Sequence, residues 1–126
     1  MYDRELVLEV LSQLYQSTQK IIKRCGPIES AVDFTRSDAG MEKLDAVCMQ
    51  LIAIGETLKN LDKITCHSLL SGYPQVEWKK AMGLRDIISH HYFDTNAEAI
   101  FEVCKIHIPA LAEIIMKIEA DLRSTS

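Results

Sequence analysis

Lys80-Ala-Met-Gly-Leu-Arg85-Asp-Ile-Ile-Ser-His90-His-Tyr-Phe-Asp94 holds most of the reactive side-chain chemistry of the chain, with apolar residues interleaved. One arginine, two adjacent histidines and a tyrosine lie between Arg85 and Tyr92, and Asp86 follows Arg85 directly. Met82, Leu84, Ile87 and Ile88 fall among them at helical rather than alternating spacing, so the polar groups sit on or beside a packed helix. Working outward, Gly72-Tyr73-Pro74 is a break, and the spacing predicts a helix that starts between Pro74 and Glu77. That helix carries Trp78, Ala81, Met82 and Leu84 into the quoted stretch without interruption. On the other side, Thr95 followed by Glu98 reads as a capping box opening a new helix. Ile100, Phe101, Val103, Cys104, Ile108, Leu111, Ile115 and Ile118 carry its apolar face. Pro109 lies inside this run. It must kink the helix near 105–108 or begin a separate last helix in its first turn.

The rest of the chain repeats the same period. Residues 3–24 form a first helix, with Leu6, Val10, Leu14 and Ile21 as its stripe and Val7, Leu11 and Ile22 widening it. Lys23 and Arg24 suit its C-terminal dipole, and Gly26-Pro27 stops it. Residues 26–40 are a connector in which Ser37 and Asp38 can cap the next helix. This second helix runs from about 38 to 61 on Leu44, Val47, Cys48, Leu51, Ile54, Leu58 and Leu61. Gly55 interrupts it at a cost of about 1 kcal/mol, which implies that another backbone or a bulky group packs close there. Residues 62–72 form a short helix or turn. No segment alternates with period two, so the fold class is all-α: a single domain over residues 1–126, an up-and-down bundle of four to five helices.

The totals narrow the function. With 14 Lys and Arg against 18 Asp and Glu, the net charge of −4 argues against a broadly basic nucleic-acid surface. A confined cleft needs only a few local cations. The four cysteines form no C-x-x-C and no Cys/His ligand spacing, so no metal site is expected; three of them read as small core hydrophobes. No run approaches a membrane span and the N-terminus is not a signal peptide, so the expected compartment is a reducing cytoplasm. There is no glycine-rich phosphate loop and no cofactor is expected.

Within the quoted stretch two readings stand side by side. Arg85 is seven residues from Trp78 and three from Ile88, which puts it on the apolar stripe of a continuous helix. It is then either a snorkelling arginine paired with Asp86 or with a carboxylate of another helix such as Glu56, or the anion-binding group of a cleft. His90 and His91 are either helix-end histidines satisfied by the dipole or proton-transfer groups. A five-residue step turns a helix by about 500°, so Arg85 and His90 face apart by roughly 140°. They can cooperate only if the helix ends or bends near Ser89, or if a second chain contributes. Imidazole and guanidinium together suit cleavage of RNA in which the 2′-hydroxyl attacks the neighbouring phosphate. Tyr92 is a core-edge phenol or an acceptor of a transferred group. His67, His107, Asp33 and Asp38 need no special role.

Arg85-Asp-Ile-Ile-Ser-His90-His-Tyr92 resembles the R-x4-H-x-Y signature of HepT-like toxins in the HEPN superfamily. Ile54-Gly-Glu-Thr-Leu-Lys59, Tyr73-Pro-Gln-Val-Glu-Trp78 and Ile106-His-Ile-Pro-Ala-Leu111 resemble further family segments in the same order, and the likeness covers roughly residues 3–122. The resemblance implies a HEPN-like helical bundle that pairs as a homodimer, with Arg85 and His90 as catalytic residues in a cleft at the dimer interface. It implies a metal-independent ribonuclease toxin of a type II toxin–antitoxin system, with RNA as substrate. Its partner would be an MNT-type nucleotidyltransferase antitoxin that transfers AMP to Tyr92 and silences it. Asp86, His91 and Glu56 would be supporting residues. Asp86 stands where many relatives have Asn, and His91 where they often have an acidic residue. The alternative is a non-enzymatic helical dimer that binds such a nucleotidyltransferase.

Overall fold

Seven α-helical segments appear in the computed structural model, which describes residues 2–90 and 96–124, apart from the side chains of Ile87 and His90. They are α1 (Arg4–Cys25), α2 (Val32–Thr35), α3 (Asp38–Ile64), α4 (Trp78–Met82), α5 (Leu84–His90), α6 (Ala97–Glu102) and α7 (Ile108–Ser124). No strand occurs among the described residues. Three long helices, α1, α3 and α7, form the frame of the bundle, and α1 packs against both of the others.

α1 begins where Asp3 caps it, its carboxylate accepting from Glu5 N at 3.0 Å and Leu6 N at 3.2 Å. Its buried face is Val7, Val10, Leu11, Leu14, Thr18, Ile21 and Cys25. Leu6, expected in the stripe, is 44% exposed; the face is centred one residue later, on Val7 and Leu11. Thr18 is buried without penalty because its hydroxyl donates to Tyr15 O at 2.6 Å.

The connector contains α2, which seats Phe34 in the core with no exposed surface. Asp33 holds the preceding turn, accepting from Glu29 N at 2.8 Å. Ser37 caps α3, accepting from Gly40 N at 3.0 Å. α3 buries Leu44, Val47, Leu51, Ile54, Leu58 and Leu61 and runs three residues past its predicted end. It stops at Cys66 and His67, both in left-handed backbone (φ 54° and 62°). His67 is held there by its amide bond to Asp62 O at 2.8 Å and its ring bond to Asp62 Oδ2 at 2.6 Å. A short 3₁₀ turn, Leu70–Gly72, comes next.

The helix expected from about Pro74 through the quoted stretch is two helices. α4 ends at Gly83, whose amide closes back on Lys79 O and Lys80 O at 3.1 Å, and α5 starts afresh at Leu84. The α4–α5 junction lies across Gly55 of α3. A Cβ at Gly55 would meet Ala81 O at 3.0 Å, Met82 O at 3.4 Å and Leu84 Cβ at 3.6 Å. The close backbone approach expected at Gly55 is therefore present, and it fixes where α5 sits.

After residues 91–95, which lie outside the described residues, Asn96 caps α6 through its bond from Ala99 N at 3.2 Å. The expected cap, Thr95, is among the residues not described. Pro109 is accommodated as expected near 105–108. Val103–His107 widens into a π-helical segment and α7 restarts at Ile108, placing Pro109 in its first turn where no helical amide is required. The buried apolar residues of all the long helices join one core cluster, to which Ile88 of α5 and Ile100 of α6 contribute.

Candidate active site

The geometry around Arg85 is set by Gly55. Because the α4–α5 junction rests on α3 at Gly55, Arg85, one residue beyond Leu84, emerges beside the next residue of α3, Glu56. Arg85 Nη1 donates to Glu56 Oε1 at 3.2 Å. The partner carboxylate expected from another helix is thus Glu56, and among the described residues no ion pair joins Arg85 to Asp86. The same Glu56 oxygen lies 3.9 Å from Lys59 Nζ, one turn along α3. One carboxylate oxygen is therefore shared by two cations.

These groups stand in water. The side chains of Arg85, Glu56 and Lys59 are 58%, 41% and 43% exposed, so the pairing contributes little to stability. It positions Arg85 rather than holding the bundle together. The apolar-stripe argument that linked Arg85 to Trp78 fails because Gly83 separates them into different helices. Trp78 turns inward against the core cluster and donates from its indole to Tyr73 O at 2.8 Å. Lys80, the first residue of the quoted stretch, is taken up by Glu77 at 2.9 Å, which raises its affinity for a proton.

α5 runs unbroken from Leu84 to His90. The sequence asked for a helix that ends or bends near Ser89, or for a second chain; α5 is helical through Ser89 and its last residue is His90, after which residues 91–95 lie outside the described residues. The break falls at Gly83, on the other side of Arg85. Along a continuous helix these two positions point about 140° apart. Ile88, between them, is buried on the face toward the core, while Asp86 and Ser89 are exposed. The side chain of His90, and His91 and Tyr92 entirely, lie outside the described residues.

His67, His107 and Asp33 do not join this site. His67 is committed to Asp62, and His107 lies 4.0 Å from Glu102 on the other half of the chain. Asp33 pairs with Arg36, and its carboxyl is held below the usual range chiefly by the Glu29 amide. No group of three or more His, Cys, Asp or Glu among the described residues is arranged to hold a metal ion. A shallow depression between α1 and α7, lined by Tyr15, Met116, Glu119, Ala120 and Arg123, is remote in sequence from the quoted stretch. Lys59 escaped the sequence reading. Its signal was present as the i, i+3 relation to Glu56 on a helix already recognised.

Comparison with known proteins agrees with the reading of these segments. The family model described as "Ribonuclease HepT-like" matches residues 4–118. "Putative RNase TTE0752" of Caldanaerobacter subterraneus subsp. tengcongensis is 32% identical over 108 residues, covering 86% of this chain and 89% of that protein. "Putative RNase MJ0127" of Methanocaldococcus jannaschii is 39% identical over 80 residues, 60% of this chain and 63% of that one. From the same organism, "Gamma-glutamylcyclotransferase and putative RNase MJ0434" is 34% identical over 96 residues, covering 75% of this chain but 41% of its own length. The match thus spans less than two thirds of the two archaeal relatives. No solved structure matches.

Proposed function

The chain belongs to the ribonuclease HepT-like family, and we propose on that basis that it is an RNA endonuclease acting as the toxin of a toxin–antitoxin pair. The observation that carries the reading is the match over residues 4–118, which includes the whole of Arg85 to Tyr92. Two features of the site support it. Arg85 is exposed and positioned by a carboxylate, ready to exchange that partner for a phosphate oxygen. The five-residue step from Arg85 to His90 also sets the two positions about 140° apart on a regular helix, which favours a composite site in which Arg85 of one chain works with His90 of a second copy.

In such a site Arg85 binds the scissile phosphate and offsets the charge that builds on its oxygens. A neutral His90 imidazole takes the proton of the ribose 2′-hydroxyl as that oxygen attacks phosphorus. The bond from phosphorus to the 5′-oxygen breaks, and an imidazolium supplies the proton that this leaving oxygen needs. The products are a 2′,3′-cyclic phosphate and a free 5′-hydroxyl. The proton taken from the 2′-hydroxyl converts His90 to the imidazolium, so one His90 serves each site in both roles. No step in this scheme uses a metal ion. Tyr92, two residues beyond His90, is the proposed acceptor of AMP from a nucleotidyltransferase antitoxin.

The test is in two parts. Wild-type protein is expected to cleave single-stranded RNA and to arrest a bacterial host lacking the antitoxin, while Arg85→Ala and His90→Ala do neither; equal behaviour of all three sinks the enzyme reading. In the second part the two inactive variants are unfolded together, mixed one to one and refolded. A site built across two chains leaves each mixed dimer with one intact Arg85/His90 pair, so activity returns to about a quarter of wild type on statistical pairing. A site built within one chain returns nothing. Mass spectrometry after co-expression with the antitoxin should place added AMP on Tyr92.

A further inference from the structure

Glu56, Lys59 and Lys63 fall at i, i+3 and i+7 on α3 and therefore share one face of that helix. Glu56 marks the point where Arg85 of α5 reaches α3, and its Oε1 is the oxygen that both Arg85 and Lys59 approach. Lys59 and Lys63 are separated by one turn, an advance of about 6 Å along the helix. Both are exposed. The acid between them, Asp62, is turned to His67 and does not neutralise them. On a chain of net charge −4, this is a short row of cations that begins at Arg85 and runs toward the C-terminal end of α3.

We propose that Lys59 and Lys63 hold the phosphates of the RNA strand next to the one that Arg85 binds, and that Glu56 occupies that anion seat while the site is empty. The proposal rests on the ribonuclease reading above and adds to it the path of the strand. A carboxylate between two cations is the arrangement phosphates would replace: the incoming phosphate takes the place of Glu56 on Arg85, and Lys59, released from Glu56, holds the next phosphate of the strand. Lys63 then meets a further phosphate one helical turn away. The track is short and lysine-built, so it grips backbone charge without reading bases. That accounts for how an acidic protein can engage RNA: the attraction is confined to one face of one helix rather than spread over the surface. A lysine in the last turn of α3 also complements the helix dipole, and salt dependence separates that role from phosphate binding.

The experiment measures binding of a fluorescent single-stranded oligoribonucleotide as a function of salt, in a His90→Ala background so that cleavage does not intrude. Lys59→Ala combined with Lys63→Ala should weaken binding several-fold and reduce the slope of log K against log salt by roughly 1.4, two phosphate contacts' worth. A charge-matched control, Lys20→Ala with Lys117→Ala on α1 and α7, should leave the slope unchanged. Glu56→Gln should tighten binding by removing the competing carboxylate. Circular dichroism establishes that each variant is folded. An unchanged slope in the Lys59/Lys63 variant, an equal fall in the control, or weaker binding by Glu56→Gln overturns the proposal. Cleavage by the wild type is scored separately, so a protein that cuts RNA but shows no slope change keeps its function and loses this track.

Discussion

Gly55→Ala is the substitution that most directly tests how the fold makes the site. Two effects of opposite sign meet there. Replacing a mid-helix glycine by alanine stabilises a helix by about 1 kcal/mol when nothing is in the way. Here the new methyl group would sit 3.0 Å from Ala81 O, closer than carbon and oxygen normally rest, and in contact with Met82 O at 3.4 Å. Those carbonyls belong to backbone, and that backbone is pinned. Gly83 closes on Lys79 O and Lys80 O, and the Trp78 indole is tied to Tyr73 O. The junction must lift by a few tenths of an ångström, which overpacking data put at about 1–3 kcal/mol. The helix gain offsets part of this, so the net expectation is a loss of about 1 kcal/mol, or roughly 4 °C in Tm for a chain of this size. Because α5 moves with the junction, Arg85 shifts away from Glu56, and RNA cleavage should fall by more than the lost stability explains. Urea unfolding followed by tryptophan fluorescence suits the measurement, since Trp78 lies in α4 itself. A Gly55→Ala protein that is about 1 kcal/mol more stable than wild type, with full activity, would mean that the junction is free to move and does not position Arg85.

Three further expectations concern the bundle. Phe34→Ala should cost about 3–5 kcal/mol by urea unfolding, because this fully buried ring is the anchor of α2 and leaves a cavity between α2 and α3. The Tyr73 phenol is pushed up to about 12 by burial and by its bond to Asp121, so the folded protein holds that proton more tightly than the unfolded chain. The stability this brings is complete below pH about 10 and is lost as pH rises toward 12; Tyr73→Phe should flatten unfolding curves across that window. Of the four thiols, Cys66 is exposed while Cys25 and Cys104 are buried against each other and Cys48 is pushed up to about 11 by burial. Native protein should therefore show one fast thiol with a disulfide reagent, abolished by Cys66→Ser, and four after denaturation.

The long helices were legible because their signals are local and redundant. α1 and α3 each repeat an apolar face over many turns and carry caps within a residue or two of the predicted ends. Pro109 was equally readable, since a residue without an amide leaves the chain few options, and the π segment before it is one of them. The errors fall where the signal is short. Gly83 gave no stronger cue than any glycine in a helical run, and what turns it into a break is the docking of the junction on α3. Leu6 and Val7 are adjacent, and only contact with α7 and α3 decides which of them faces the core.

The candidate site shows the same division more sharply. The residue types between Arg85 and Tyr92 leave a polar helix edge and a phosphate site side by side, and it is the family resemblance of the surrounding segments that favours the second. The break falls at Gly83. It frees Arg85 from the inward-facing stripe of Trp78, brings it out beside Glu56, and leaves Leu84–His90 as a helix of its own. Ile88, three residues beyond Arg85, is buried, so α5 cannot rotate about its axis without withdrawing Ile88 from the core. Burying such a side chain is worth about 1.5–3 kcal/mol, so that rotation is opposed by the packing that places α5. The outward course of Arg85 is therefore a property of how α5 is packed.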